Sequence, residues 1–324
     1  MRRPTLLTVD PAKPDERALL PAAQALRRGG LVAFPTETVY GLGANAFDPD
    51  AVARVFAAKD RPADNPLIVH VADRAAAGKV AARMTPLAEE LATRFWPGPL
   101  TLVLDAVADL PQRTTAGLST VAVRVPDHPV ALALLRVTDR PLAAPSANRS
   151  GRPSPTTAQH VLEDLGARVD VIIDGGPCRV GVESTVVDAR GDAPIVLREG
   201  GVSREALGVG AAAPRGDQRA SPGTRYRHYA PACAVQIAPP GEGGALAAAL
   251  RRGGRRVGLV SRAPAPEGVL GIARFTSPGE LALRLYGALR DAEAAGVDVL
   301  VVEAVDETGI GRAVMDRLRR AADG

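Results

Sequence analysis

Between Leu31 and Val71 two short apolar runs enclose a polar loop and a helical pattern, and this spacing restricts the chain to an α/β fold. The first run, Leu31 to Phe34, stops at Pro35. A polar, Gly-bearing loop follows, with Thr36, Glu37, Thr38, Tyr40, Gly41 and Gly43, and a helical spacing then closes at Lys59. Lys59-Asp60-Arg61-Pro62 leads to the second run, Leu67 to Val71, with His70 inside it. Runs this short, bounded by Pro and Gly, read as buried strands rather than helices. Hydroxyls, a Lys, an Arg and a His thus reach strand and helix ends from one segment. In α/β proteins such groups converge where loops meet the carboxyl ends of strands.

The same alternation continues. Asp15 to Arg28 has helical spacing and stops at Gly29-Gly30; Asp48-Pro49 and Thr85-Pro86 are cap-plus-proline helix starts. Trp96-Pro97-Gly98-Pro99 is a rigid turn feeding a strand from Leu100 to Leu104, and Ser119 to Val125 is another. His128 to Leu135 is helical, and Pro141 to Ala144 runs as a strand into Pro145-Ser146-Ala147-Asn148. A helix near Thr157 to Leu165 precedes strands at Val169–Asp174, Ser184–Asp188 and Ile195–Arg198. Strands outnumber helices, so a mixed, partly antiparallel sheet is expected.

The chain has 324 residues, enough for two domains. The first is expected over residues 1–207. Residues 208–231 are rich in Gly, Pro and Ala without apolar period and read as a linker. Its second half, Ser221 to Tyr229, packs cations and aromatics together. Residues 232–324 return to βαβ alternation, a small Rossmann-like layout.

The net charge is +4 and the pI about 9.4, which suits an anionic partner without identifying one. Lys occurs only at Lys13, Lys59 and Lys79 in an Arg-rich chain. Two Cys, Cys178 and Cys233, in dissimilar contexts suggest reduced thiols and a cytoplasmic protein. The N-terminus does not read as a signal peptide, and no apolar run approaches the roughly 18 residues of a membrane span.

No P-loop, zincin or paired CxxC motif occurs, and Gly41-Leu42-Gly43-Ala44-Asn45-Ala46 lies too far from its strand to be a dinucleotide fingerprint. Lys59 and Arg61 read either as solvated cations at a helix end or as a phosphate clamp, the Lys a point charge and the Arg a bidentate fork. Ser146 and Asn148, and Glu183-Ser184-Thr185, are turn residues or ligand contacts. Arg124 and Arg198 end apolar strands, where each needs a buried carboxylate or an anionic ligand. His70 reads as a core histidine; His128 and His160 read as surface helix residues. Many cations and hydroxyls with no obvious nucleophile fit chemistry run by positioning two substrates.

PTETVYGLG, KDRPADNPLIVHV, FWPGPLTLVL, VAVRVPDHP, APSANRSGRPSPT, GVESTVVD and VLREGG, in this order over residues 15 to 207, resemble the YrdC-like threonylcarbamoyl-AMP synthases. The linker SPGTRYRHYAP and the tail resemble that family's long, two-domain form. The resemblance implies a YrdC-like twisted mixed sheet with a concave basic face. It also implies a nucleotidyltransferase that makes threonylcarbamoyl-AMP and pyrophosphate from L-threonine, bicarbonate and ATP, with Mg²⁺ carried by the ATP. The product would serve tRNA threonylcarbamoyladenosine modification through a downstream transferase, with weak RNA binding possible for the enzyme itself. By position, Lys59, Arg61, Ser146 and Asn148 match the family's nucleotide tetrad, with Lys59 and Arg61 in the catalytic role. Asn65, Thr120, Arg198, Tyr226 and His228 match further ATP contacts. Thr38, with Thr36 as neighbour, His70, Arg124 and Ser184 match the threonine pocket. Two alternatives compete: a non-catalytic RNA-binding module using the basic face, and a carbamoyl-transfer domain of the hydrogenase-maturation type. The first is disfavoured by the lack of an aromatic stacking array, the second by the absence of Cys-rich zinc modules.

Overall fold

The computed structural model describes residues 3–62, 64–210, 221 and 229–323. They divide into two compact units, the second gathering the described residues from Tyr229 onward together with Gly151–Ser154 and Val180–Val182. Tyr226 and His228 lie outside the described residues.

In the first unit the strands are β1 (Thr5–Thr8), β2 (Val32–Phe34), β3 (Gly41–Asn45), β4 (Ile68–His70), β5 (Leu100–Asp105), β6 (Thr120–Arg124), β7 (Leu142–Ala143), β8 (Val171–Asp174), β9 (Thr185–Asp188) and β10 (Ile195–Arg198). The α-helices are α1 (Leu20–Arg27), α2 (Pro49–Lys59), α3 (Pro86–Phe95), α4 (Gln112–Thr115), α5 (Pro129–Thr138) and α6 (Ala158–Leu165). One ten-stranded sheet results, ordered β1-β8-β2-β3-β7-β4-β6-β5-β9-β10. The sheet is mixed, as the strand-rich sequence indicates: β4 and β6 are parallel, while β2 and β3, β3 and β7, and β4 and β7 are antiparallel. Gly41–Asn45, expected as part of a loop, is a strand. It escapes a search for apolar runs because Gly41 and Gly43 pack against the Phe34 ring, which leaves no room for a side chain at Gly43.

Alternating side chains sort the sheet into two faces. Leu31, Ala33, Val69, Val121, Val123 and Val187 join the large cluster that also holds Val52 and Val55 of α2 and Leu91 of α3. Val32, Phe34, Leu142 and Ala144 face the other way, onto Leu26 of α1 and Leu134 of α5. That second face continues as a small cluster made of strand residues alone: Ile68, Val103, Ala122, Val186 and Leu197. Apolar residues at successive positions of one strand, such as Leu31 to Phe34, are what a strand buried on both faces requires.

α2 is set by its ends. The Asp48 side chain accepts from the Asp50 and Ala51 amides, Pro49 occupies the first turn, and Asp60 closes the helix in a left-handed conformation at φ 53°. Lys59, the last helical residue, is therefore fixed in direction.

The second unit holds β11 (Ala234–Ala238), α7 (Gly243–Arg252), β12 (Val257–Ser261), β13 (Leu270–Arg274), α8 (Pro278–Ala294), β14 (Val299–Glu303) and α9 (Gly311–Ala322). Its four strands are all parallel, in the order β11-β14-β12-β13. β13 was not expected from sequence: as an exposed edge strand, Leu270–Arg274 lacks the buried apolar pattern. Among the described residues no helix is long and apolar enough to cross a membrane.

Candidate functional site

The small strand-only cluster marks the face that carries most of the candidate polar residues. On β4, Ile68 belongs to that cluster, so His70, two residues on, shares its face. The same spacing places Thr101 beside Val103, Thr120 and Arg124 either side of Ala122, and Ser184 beside Val186. Five polar side chains thus join one side of the sheet, all of them buried.

Arg124 organises one end. Its Nε donates to the Gly98 carbonyl at 3.2 Å and its Nη2 to Thr38 Oγ1 at 3.0 Å, while Nη2 lies 2.6 Å from Glu37 Oε1. The buried carboxylate that Arg124 requires is therefore Glu37, 2% exposed, from the loop between β2 and β3. Of the neighbouring threonines, Thr36 is committed to the turn, accepting from the Thr38 and Val39 amides and donating to the Val39 carbonyl at 2.6 Å. Thr38 is the hydroxyl presented to Arg124. His70 pairs with Arg124 in the β4–β6 register and packs edge-on to Phe34. Burial, aided by the Arg124 charge, pushes the His70 imidazole down to about 3, so it is neutral at physiological pH.

Ser184 completes this end. Its Oγ lies 2.7 Å from Thr101 Oγ1, and Arg198 donates from Nε and Nη2 to the Ser184 carbonyl, with Nη2 also 3.2 Å from the hydroxyl. Arg198, expected among the nucleotide contacts, thus sits on a residue expected to serve threonine.

Lys59 organises the second group. It is 1% exposed, and Nζ donates to the carbonyls of Ser146 at 2.6 Å and Asn148 at 2.5 Å. The Asn148 side-chain oxygen also accepts from Ser146 Oγ at 2.6 Å. A solvated helix-end lysine is ruled out. Burial, with Arg61 as a second cause, holds the Lys59 amine well below its ordinary range. Arg61 Nη2 donates to the Pro66 carbonyl at 3.3 Å. Asn65 is buried in the same turn. The parallel register, Ile68 against Ala122, sets Thr120 level with Pro66, at the opposite end of β6 from Arg124. Ser146 itself bridges to Gly41.

Two polar groups therefore occupy the two ends of β4 and β6: Arg61 and Asn65 ahead of β4 with Thr120 opening β6, and His70 and Arg124 closing the two strands. They do not converge by the doubly wound rule, since β2 runs opposite to β4 across β3 and β7. The loop from Thr36 to Tyr40 reaches Arg124 directly instead.

Glu37 and Thr101 had no role assigned from sequence. The signal for Glu37 was its place between two candidate threonines; that for Thr101 was a lone hydroxyl within an apolar strand. His128, expected on a helix surface, is buried as the N-cap of α5, its ring nitrogen accepting from the Val130 amide. Among the described residues no three His, Cys, Asp or Glu gather as a metal cage.

The Sua5/YciO/YrdC family, described as telomere recombination, matches residues 24–200, and a family described as threonylcarbamoyl-AMP synthase, C-terminal domain, matches 196–323. The threonylcarbamoyl-AMP synthase of Pyrococcus abyssi is 46% identical over 316 residues, covering 93% of each chain. That of Bacillus subtilis is 44% identical over 319 residues, covering 94% of this chain and 92% of its own. The crystal structure of P. abyssi Sua5 complexed with L-threonine superposes with a TM-score of 0.91 at 44% identity, over 98% of this chain and 97% of that one. Escherichia coli YciO matches 63% of this chain and 99% of its own, at 26% identity and a TM-score of 0.58.

Proposed function

The chain belongs to the threonylcarbamoyl-AMP synthase family in its long, two-domain form, and on that premise we propose that it joins L-threonine, bicarbonate and ATP into threonylcarbamoyl-AMP with release of pyrophosphate. The observation that carries this reading is the near full-length match, at a TM-score of 0.91, to a relative crystallised with L-threonine. The chemistry needs the bound threonine's ammonium to release a proton to solvent; the neutral amine then combines with bicarbonate to give a carbamate and water. A carbamate oxygen then attacks the α-phosphorus, and the bond to pyrophosphate breaks. Two anions are pressed together, so cations and position matter more than a base.

Arg124 is assigned the threonine carboxylate, with Thr38, His70 and Ser184 around the amino acid and Thr36 shaping the loop. Lys59, Arg61, Asn65, Thr120, Ser146, Asn148 and Arg198 are assigned to ATP. An anionic phosphate beside Lys59 would offset the burial that disfavours its charge. Mg²⁺ would travel on the nucleotide, held by phosphate oxygens and water, a mode that needs no protein cage. Residues 1–207 form the catalytic domain in this reading, residues 208–231, with Tyr226 and His228, a cover over the reacting groups, and residues 232–324 the tail domain; these assignments rest on sequence. A tRNA threonylcarbamoyl transferase would consume the product.

The test is incubation with ATP, L-threonine and labelled bicarbonate. Threonine-dependent pyrophosphate release with label in an adenylate supports the reading; pyrophosphate release indifferent to threonine overturns it.

A further inference from the structure

Resting on that reading of the site, we propose that Glu37 is a specificity-determining residue, whose charge makes the Arg124 pocket accept an amino-acid zwitterion in preference to a plain carboxylate. Two of the five guanidinium donors of Arg124 are fixed by hydrogen bonds within the protein, one to Gly98 and one to Thr38, and Nη2 is ion-paired with Glu37 Oε1 at 2.6 Å. Nη1 has no hydrogen-bond partner among the described residues and is not among the buried unpartnered atoms, so it is the group left for a ligand. Glu37 and Arg124 are 2% and 4% exposed and in contact, so their charges cancel locally.

That cancellation has a consequence for the ligand. A carboxylate bound at Nη1 would bring a net negative charge into a region shielded from water, where an uncompensated ion is costly. A 2-amino acid carries an ammonium next to its carboxylate and leaves the group neutral. His70, the nearest neighbour of Arg124 across β4 and β6, adds no charge, since burial keeps it unprotonated. Arg198 is the same in the wild type and the variant, so its effect on each ligand cancels in the comparison and a change confined to Glu37 isolates the effect. Both Glu37 carboxylate oxygens are buried without a hydrogen-bond partner among the described residues, so the carboxylate keeps its charge close to the Arg124 pair. Its influence is electrostatic, through the Arg124 pair.

The experiment is calorimetric titration of the full-length protein and its Glu37→Gln variant with L-threonine, 3-hydroxybutyrate, which lacks the amine, and L-threoninol, which lacks the carboxylate. Gln keeps an acceptor for Arg124 and removes only the charge. In the variant, 3-hydroxybutyrate is expected to gain about tenfold or more in affinity relative to threonine, and threoninol to lose a similar factor, as Coulomb energies at this range allow. Nucleotide affinity should stay within about twofold. Unchanged ratios overturn the proposal. Should the Gln variant fail to fold, Glu37→Asp keeps the charge and must hold the ratios within about threefold; a collapse there also overturns it. If the wild-type protein binds another 2-amino acid but not threonine, the functional reading fails. The ratio measured with that amino acid and its deaminated analogue still decides the role of Glu37.

Discussion

Lys59 Nζ lies 2.6 Å from the carbonyl oxygen of Ser146, which makes the last side chain of α2 a structural tie as well as a candidate ligand group. With the Asn148 carbonyl as second acceptor, one amine holds the loop that carries both Ser146 and Asn148.

Lys59→Ala and Arg61→Ala should therefore behave differently. Removing Lys59 leaves two carbonyls without their donor, costing roughly 2–4 kcal/mol and lowering the melting temperature by several degrees as well as ATP use. Arg61 is partly exposed, so its loss should raise the KM for ATP with little thermal effect. Calorimetric melting alongside initial rates checks the pair, and equal melting losses would remove the distinction.

Arg124→Lys should lower kcat/KM for threonine by about 100-fold, the order expected when an oriented guanidinium fork is replaced by a point charge. The KM for ATP should change far less. Steady-state kinetics with each substrate varied in turn reads the difference.

Thr101→Val removes the hydroxyl 2.7 Å from Ser184 Oγ while keeping the volume. A loss of about 1 kcal/mol in stability is expected, with a severalfold rise in the KM for threonine. Denaturant unfolding and rate measurements test both parts; an unchanged threonine KM would separate Ser184 from the amino acid.

Acid should destabilise the fold through His70. Its folded value is depressed to about 3 from the ordinary 6.5, so above 6.5 both states are neutral and the residue contributes nothing. Between 6.5 and about 3 only the unfolded chain binds the proton, and stability falls on acidification by at most roughly 1.4 kcal/mol per pH unit. In His70→Asn that limb of the stability profile should flatten.

Sequence reading captured the elements whose signals are local. The Asp48-Pro49 start and the short apolar runs at β2, β4 and β6 are written into neighbouring residues. Gly41–Asn45 was missed because a glycine-rich strand packed on Phe34 has little apolar pattern. Lys59 was ambiguous because its burial depends on a loop 87 residues away, and Glu37 was unassigned because its partner Arg124 is equally distant in the chain. Thr36 and Thr38 could not be ranked until the turn showed which hydroxyl it consumed.

β6 also sets a length. Thr120 and Arg124 project from one side of a five-residue strand, roughly 13 Å apart at the rise of an extended chain. Deleting one residue between them would contract that separation and turn one side chain through to the helix-covered layer. If Thr120 and Arg124 serve the two substrates as proposed, the strand can drift in composition over generations, yet its residue count is locked to the combined reach of those two molecules.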